Sequence, residues 1–189
     1  MYEDIKNGND RILFFSGSNH SASINQLVVS HLAKTIGQDQ ANTIHLKSFP
    51  SPVYSLEDEQ TTGIPDKITE LVDLLDQFDK FVVAVPEYNG SVPGFFKNTL
   101  DWISRARKNY RVFQNKKIFL IAVSPVGGGS FALKHAGDIL RRLGAEILGE
   151  QTIGNFNPSQ FNGDIDKSEF FSELQGMAYS ISDHFYKTK

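Results

Sequence analysis

The sequence predicts an α/β protein in which a doubly wound sheet of five parallel strands carries helices on both faces. Three stretches, at residues 12–15, 81–85 and 118–123, are apolar without alternation, as in strands that are covered on both faces. Between them lie longer stretches whose apolar residues recur with the helical period. Ser, Asn, Pro and Gly residues cluster where a strand would pass into a helix. This regular alternation of strand and helix is typical of a parallel sheet.

The first half of the chain supplies two strands and two helices. Residues 12–15 form the first strand, and the helix that follows ends at Gly37. The apolar face of this helix consists of Ile24, Leu27, Val28, Leu32 and Ile36. A weaker second strand is predicted at residues 43–46, whereas residues 47–63 are predicted to be irregular because they are rich in Pro and Ser. Pro65 fits the first turn of the next helix. The buried stripe of that helix consists of Ile68, Leu71, Val72 and Leu75.

The second half supplies three strands and three helices. Strands are predicted at residues 81–85, 118–123 and 146–148, and helices at residues 95–104 and 130–143. Gly144 ends the second of these helices. Residues 151–167 are polar and predict a loop. The apolar face of a final helix consists of Phe170, Phe171, Leu174, Met177, Ala178, Ile181 and Phe185.

Five strands favour the flavodoxin-like order 2-1-3-4-5 over the six-stranded dinucleotide-binding order. In this order strands 1 and 3 are neighbours whose connections leave in opposite directions, so that a crevice opens between their carboxyl ends. Residues 17–25 and 86–91 would flank that crevice. A chain of 189 residues, 40% of them hydrophobic, predicts one domain over residues 1–189.

The composition narrows the classes of function. The formal net charge is −3, so no global positive field attracts a nucleic acid. The absence of Cys excludes disulfides, thiolate catalysis and Cys-ligated metals. Residues 1–10 are polar, unlike a signal peptide, and no apolar run approaches the ~20 residues of a membrane span. We therefore expect a cytoplasmic protein that binds neither nucleic acid nor membrane.

The turn between the first strand and the first helix, residues 17–25, fits a phosphate. The unpaired N–H groups and the dipole of a helix N-terminus attract anions. Small polar side chains in this turn allow a close approach: Ser18, Asn19, Ser21, Ser23 and Asn25. The turn is neither a P-loop nor a Gly-x-Gly-x-x-Gly turn, since it lacks the Gly-Lys-Ser/Thr ending and the later glycines. A plain capped helix, with Ser21 or Ser23 as the N-cap, would explain the same residues.

Two further turns lie at the same predicted edge of the sheet. The turn at residues 86–94 combines Pro, Asn and Gly, and its backbone groups are suited to contact the edge of a flat heterocycle, with Tyr88 as a wall. The turn at residues 124–129 ends in three glycines, which allow a planar ligand to lie against bare backbone. In both cases the alternative is a turn that merely redirects the chain from strand to helix.

Other chemistry has little support in the sequence. The Gly-x-Ser-x-Gly motif of α/β-hydrolases is absent. The histidines are not spaced as metal ligands, and His31 and His135 are interpreted as ordinary surface or core residues of helices. The cations of residues 105–117 form either a solvated connection or a docking patch for an anionic cofactor tail. The docking patch would favour NADPH over NADH.

Residues 86–102, PEYNGSVPGFFKNTLDW, closely resemble the signature of the NAD(P)H-dependent FMN reductases of flavodoxin-like fold. That family includes quinone, chromate and azo-dye reductases. The turn at residues 17–25 resembles the phosphate loop of the family, and residues 123–129 resemble the turn that follows its fourth strand. The resemblance therefore spans residues 10–150.

This resemblance implies FMN as the cofactor and NADPH or NADH as the co-substrate. It implies that the phosphate is bound by Ser18, His20, Ser23, Ile24 and Asn25. It implies that the isoalloxazine is bound by Pro86, Glu87, Tyr88, Asn89 and Gly90 and, at its other edge, by Ser124, Gly127 and Gly128. No catalytic side chain is expected, because the cofactor carries the chemistry.

The implied reaction passes hydride from the nicotinamide to FMN and then to a small-molecule acceptor such as free flavin, quinone or an azo compound. Family members are usually dimers or tetramers, and we expect a homodimer or homotetramer here. Residues 47–63 and the helix that bears Trp102 are candidates for the subunit contact. The alternative is a non-enzymatic electron carrier or a regulatory flavin-binding module on the same fold.

One residue departs from the pattern of the family. His20 stands where the phosphate loop usually has Arg. Arg is always charged and grips a phosphate with two hydrogen bonds, whereas an imidazole loses its charge within the neutral range. We therefore expect FMN to bind less tightly as the pH rises through that range.

Overall fold

The computed structural model describes residues 10–160 and 171–186. The predictions for residues 1–9, for residues 161–167 of the final loop and for Phe170 lie outside these ranges. The strands are β1 (Ile12–Ser16), β2 (Ala41–Thr43), β3 (Lys80–Ala84), β4 (Lys117–Val123) and β5 (Glu146–Ile153). The helices are α1 (Ile24–Ile36), α2 (Leu56–Thr62), α3 (Asp66–Leu75), α4 (Gly94–Arg105), α5 (Ser130–Arg142) and α6 (Phe171–Tyr186), with short 3₁₀ turns at Leu46–Ser48 and Pro158–Gln160.

The five strands form one parallel sheet in the order β2-β1-β3-β4-β5. This order confirms the predicted flavodoxin-like topology. We call the side of the sheet where β1, β3 and β4 end the carboxyl edge, and the side where they begin the amino edge. The turns that follow Ser16, Ala84 and Val123 all lie at the carboxyl edge.

Helices cover both faces of the sheet, as the unbroken apolar strands predicted. Alternate residues of a strand point to opposite faces, so that in β1 Leu13 packs on one side with α3, α4 and α5. Phe14 packs on the other side with α1 and α6. The strands at the centre of the sheet are therefore buried on both faces. Among the described residues, no helix combines the length and the apolar character that crossing a membrane requires.

The structure corrects three predicted element bounds. Strand β2 lies at Ala41–Thr43 and not at residues 43–46, because the chain enters a 3₁₀ turn at Leu46 after the N–H of Ile44 donates to the carbonyl of Phe14 (3.0 Å). Strand β5 continues to Ile153, into the predicted loop. It is an edge strand whose residues are mostly half-exposed or exposed, so it does not need the apolar run by which the inner strands are recognised.

The third correction is a helix inside the connection that was predicted to be irregular. Helix α2 buries no residue, so it leaves no apolar periodicity in the sequence. Ser55 caps its N-terminus by accepting from the N–H of Asp58 (3.0 Å). Three acidic residues in the first turn also favour the helix through its dipole.

Candidate functional site

A cleft of about 200 Å³ opens at the carboxyl edge of the sheet. The three turns that the sequence singled out meet there, and the lining residues are Ser18, His20, Ala22, Ser23, Ile24, Asn25, Pro86, Glu87, Tyr88, Val123, Ser124 and Pro125. Four predicted site residues are not part of this lining: Asn89, Gly90, Gly127 and Gly128. They lie farther along the same two turns.

The first turn presents the N-terminus of α1 to the cleft. Ser23 is the N-cap, and its hydroxyl accepts from the N–H of Gln26 (3.2 Å). The backbone N–H groups of Ile24 and Asn25 have no acceptor among the described residues. These two donors and the positive end of the helix dipole are available to an anion.

His20 is held in place by the turn itself. The N–H of His20 donates to the hydroxyl of Ser18 (3.1 Å), and the N–H of Ala22 donates to Nδ1 of His20 (3.2 Å). Because Nδ1 accepts, the neutral ring carries its proton on Nε2. His20 therefore offers one donor, where an Arg would offer a fork of several.

Asn25 is a structural clip, which corrects the expectation that its side chain holds a phosphate. Its amide is buried, donates to the carbonyl of Val123 (2.9 Å) and accepts from the N–H of Val123 (2.9 Å). The clip joins the first turn of α1 to the end of β4. The backbone N–H of Asn25, unlike its side chain, has no acceptor among the described residues.

Gln26 is a second clip, and the sequence reasoning missed it. Its Oε1 accepts from the N–H of Ser16 (3.2 Å), and its Nε2 donates to the carbonyl of Ile44 (3.3 Å). A signal was present, because Ser23 and Gln26 have the Ser-x-x-Gln spacing of a capping box. Here the Gln side chain reaches back to β1 instead of to the N-cap.

Gly17 allows the first turn to pass close to α4. A Cβ at this position would lie 2.8 Å from Cγ of Phe96, a buried ring of the core. The N–H of Gly17 donates to the carbonyl of Ala84 (2.8 Å), so that the ends of β1 and β3 remain paired at the mouth of the cleft.

The second turn is a tight reversal closed by its own backbone. The N–H of Tyr88 donates to the carbonyl of Ser91 (2.9 Å), and the N–H of Ser91 donates to the carbonyl of Tyr88 (3.1 Å). Asn89 and Gly90 both have positive φ, at 53° and 74°, as a type I′ turn requires. Asn and Gly are the residues that this geometry favours.

Glu87 fixes the second turn to the third. Its Oε2 accepts from the N–H groups of Phe131 (3.0 Å) and Ala132 (3.2 Å), at the start of α5. The carboxylate thus caps α5 and links the second turn to the helix that follows the third. A second contact joins the hydroxyl of Ser91 to Nδ1 of His135 (2.7 Å), an exposed residue of α5.

The third turn leaves β4 with its backbone paired to β5. The N–H of Ser124 donates to the carbonyl of Ile153 (2.9 Å), and the hydroxyl of Ser124 accepts from the N–H of Val126 (3.2 Å). Gly129 has a φ of 80°, and a Cβ there would lie 2.9 Å from Cβ of Ala122. Gly127 has no positive φ, and a Cβ at this position would meet nothing within 4 Å.

The basic connection lies at the amino edge, remote from this cleft. It leads from the end of α4 to Lys117, the first residue of β4, whereas Ser124 follows the last. Seven strand residues separate the two ends by about 20 Å. The connection therefore does not form a docking patch beside the cleft, and the support that it gave to NADPH over NADH falls away.

Three of the six cations of this connection are paired with carboxylates. Arg107 contacts Asp73 and Asp76, and Lys116 contacts Asp79 (3.0 Å) and the carbonyl of Phe78 (2.6 Å). Burial and the bond to Asp76 raise the pKa of the neighbouring Tyr110 to about 12.

Arg105 binds Glu59 of α2 through Nε and Nη2 (2.9 Å each). The hydrogen bonds from Arg105 and Tyr54 lower the pKa of Glu59 below its ordinary range. The bond to Glu59 in turn raises the pKa of Tyr54. These contacts attach α2 to the far end of α4.

Comparison with known proteins gives a consistent family. The family model described as NADPH-dependent FMN reductase matches residues 11–157. A quinone reductase of Escherichia coli is 31% identical over 144 residues, 73% of each chain. A probable NADPH:quinone oxidoreductase of Oryza sativa is 25% identical over 179 residues, 90% of this chain and 86% of that one.

A solved structure shares the fold. FerB, a flavoenzyme NAD(P)H:(acceptor) oxidoreductase from Paracoccus denitrificans, superposes with a TM-score of 0.76 at 22% identity, covering 93% of this chain and 97% of that one. These findings confirm the predicted oxidoreductase class and the implied cofactors, FMN and NAD(P)H, which are those of the family. The chain belongs to the NADPH-dependent FMN reductase family.

Proposed function

We propose that this protein uses NAD(P)H to reduce a small-molecule acceptor, such as free flavin, quinone or an azo compound, with FMN held in the carboxyl-edge cleft. The observation that carries the proposal is the meeting of the three turns at one cleft, beside two helix N–H groups that have no acceptor among the described residues. The cleft lies where ligands bind in open α/β sheets.

The first turn fits the phosphate of FMN. Ile24 and Asn25 would donate from the backbone at the N-terminus of α1, and His20 would donate from Nε2. Ser18 and Ser23 line the same part of the cleft and add hydroxyl groups. The clip made by Asn25 holds these donors in place before the ligand arrives.

The second and third turns fit the ring. Pro86, Glu87, Tyr88 and Ser124 line the cleft, and Asn89, Gly90, Gly127 and Gly128 follow them on the same turns. When bound, FMN supplies the redox chemistry, taking hydride from the nicotinamide and returning electrons to the acceptor. The chain contributes oriented backbone dipoles, which stabilise negative charge on a ligand without reorganising.

We also propose that the protein is a homodimer or homotetramer. Ligand sites usually occupy ~300–1,000 Å³, and the cleft of one chain is smaller, at about 200 Å³. A second copy would complete it. Val53 and Leu56 leave 83% and 55% of their surface exposed on the connection that packs against α4, and they fit a subunit contact. Light scattering would measure the assembly.

The remaining expectations stay predictions. They are a cytoplasmic location, no nucleic-acid partner and one domain over residues 1–189. Steady-state kinetics with each candidate acceptor in turn would identify the acceptor that is reduced fastest. The same assay with NADPH and with NADH would show which of the two the protein prefers.

The deciding experiment is the visible spectrum of the purified protein after incubation with FMN. We expect a yellow protein that bleaches under anaerobic NADPH or NADH and recovers its colour when an acceptor is added. A yellow protein that does not bleach would be an electron carrier. A protein that does not retain FMN would contradict the proposal.

A substitution in the second turn tests the assignment of the ring site. Gly90→Val places a β-branched residue at a φ of 74°, a conformation that such residues resist. We expect reduced flavin content or reduced activity. Unchanged turnover in this variant would contradict the role of the turn.

A further inference from the structure

We propose that His135 is a positioning residue for the flavin ring, which acts through Ser91 on the turn formed by Asn89 and Gly90. The inference rests on the proposed function of the cleft. It begins with the hydrogen bond of 2.7 Å between the hydroxyl of Ser91 and Nδ1 of His135.

The turn needs an external support. Asn89 and Gly90 both have positive φ, and a non-glycine residue adopts that conformation at a cost. A Cβ on Gly90 would meet nothing within 4 Å, and Tyr88 is 51% exposed. The tip of the turn therefore has little packing to hold it.

Helix α5 provides that support at two points. Glu87, just before the turn, caps the first residues of α5. Ser91, at its other end, bonds to His135 one turn farther along the helix. His135 is exposed, but the nearby Ala132 and Ala136 are fully buried, so the helix that bears His135 is fixed to the core.

These two contacts couple the second and third turns. Helix α5 begins directly after Gly129, so that the support of the second turn is the helix that the third turn leads into. The spacing between the two walls of the ring site is thereby set by Glu87 and by the Ser91–His135 bond. Losing the His135 contact frees one end of the second turn while the cap by Glu87 remains.

The test compares variants of His135 and Ser91 with a control variant of a neighbouring residue on α5. His135→Ala removes one partner of this hydrogen bond, and Ser91→Ala removes the other. His135→Asn keeps a polar atom near the position of Nδ1, whereas His135→Gln moves it toward the position of Nε2. Lys134→Ala is the control, because Lys134 is exposed on the adjacent position of α5.

Two measurements report on the second turn and do not depend on catalytic activity. Amide hydrogen exchange of Tyr88 and Ser91, whose N–H groups close the turn, is measured in the FMN-free protein, and the dissociation constant for FMN is measured by fluorescence quenching. We expect His135→Ala and Ser91→Ala to speed exchange and to weaken FMN binding, each by about threefold to tenfold. The double variant should be no weaker than either single one, and Asn should rescue binding better than Gln.

The outcomes separate this inference from the function on which it rests. If the wild-type protein does not bind FMN, the proposed function is wrong and this inference falls with it. If the wild type binds FMN and His135→Ala matches Lys134→Ala in exchange and affinity, this inference alone is overturned. Equal affinities of the Asn and Gln variants would also overturn it, because a general structural role does not distinguish the two ring nitrogens.

Discussion

The two edges of the sheet differ in how their polar groups are engaged. At the amino edge, Arg105, Arg107 and Lys116 are each paired with carboxylates. At the carboxyl edge, the backbone donors of Ile24 and Asn25 have no acceptor among the described residues. The amino edge has the denser charge in the sequence, with half of its six cations paired, whereas the donors at the carboxyl edge are backbone N–H groups.

The comparison shows why a run of cations is a poor guide to an anion site. Formal charges close in sequence are easily neutralised by carboxylates from other elements, here from α2 and α3 and from the residue before β3. A helix N-terminus cannot be neutralised in this way without a cap on each N–H group. The following predictions test that contrast.

The largest effect is expected when the clip behind the carboxyl edge is removed. Asn25→Ala leaves the buried N–H and carbonyl of Val123 without partners, and each buried group left unpaired costs ~1–3 kcal/mol. We expect the free energy of unfolding in urea to fall by about 3 kcal/mol and FMN binding to weaken with it. Ser21→Ala, an exposed change in the same turn, should stay within ~0.5 kcal/mol of the wild type. A loss no larger than that of Ser21→Ala would show that the clip contributes little.

The third turn allows a comparison between two glycines. Gly129→Ala combines a positive φ with a Cβ placed 2.9 Å from Cβ of Ala122, and we expect a loss of about 2 kcal/mol in stability. Gly127→Ala meets nothing within 4 Å and needs no positive φ, so it should be nearly neutral. Thermal unfolding of both variants checks this, and equal melting temperatures would contradict the geometry of the turn.

A charge added at the carboxyl edge should change the affinity for FMN more than a charge removed from the amino edge. His20→Arg replaces one imidazole donor with a permanently charged fork, and we expect the dissociation constant for FMN to fall by about tenfold. Arg111→Ala, at the amino edge, should leave FMN affinity unchanged. Titration of FMN fluorescence gives both dissociation constants, and a larger effect of Arg111→Ala would reverse the assignment of the two edges.

Much of this molecule could be predicted because its fold depends on local patterns. The apolar runs of β1, β3 and β4 and the special residues of the turn at 86–94 define the sheet and its carboxyl edge. Helix α2 could not be predicted from periodicity because it buries nothing. The side-chain partners of Asn25 and Glu87 could not be predicted because they lie 98 and 44–45 residues away in the chain. The resemblance implied ligand contacts for both residues and gave no sign of these structural partners.

The smallest effect is expected at the amino edge, where Glu59 joins α2 to α4. Arg105 and Tyr54 lower the pKa of Glu59, so the folded chain favours its charged form. The stabilisation is therefore complete above the ordinary glutamate pKa of ~4.3 and is lost as the pH falls through the lowered value. Exposure of Arg105 to solvent keeps the contribution small.

Trp102 gives a local readout of this contact. It is the one Trp of the chain, its ring lies 5.1 Å from that of Tyr54, and its Nε1 donates to the carbonyl of Pro52 (2.9 Å). We expect Glu59→Gln to change Trp102 emission at pH 7. The variant and the wild type should give the same emission once the pH has fallen below the lowered pKa of Glu59, where both side chains are neutral. Glu57→Gln controls for the helix dipole, since Glu57 lies in the same first turn of α2. If the difference between Glu59→Gln and the wild type persisted to the end of an acid titration of the folded protein, the ion pair would not be its cause.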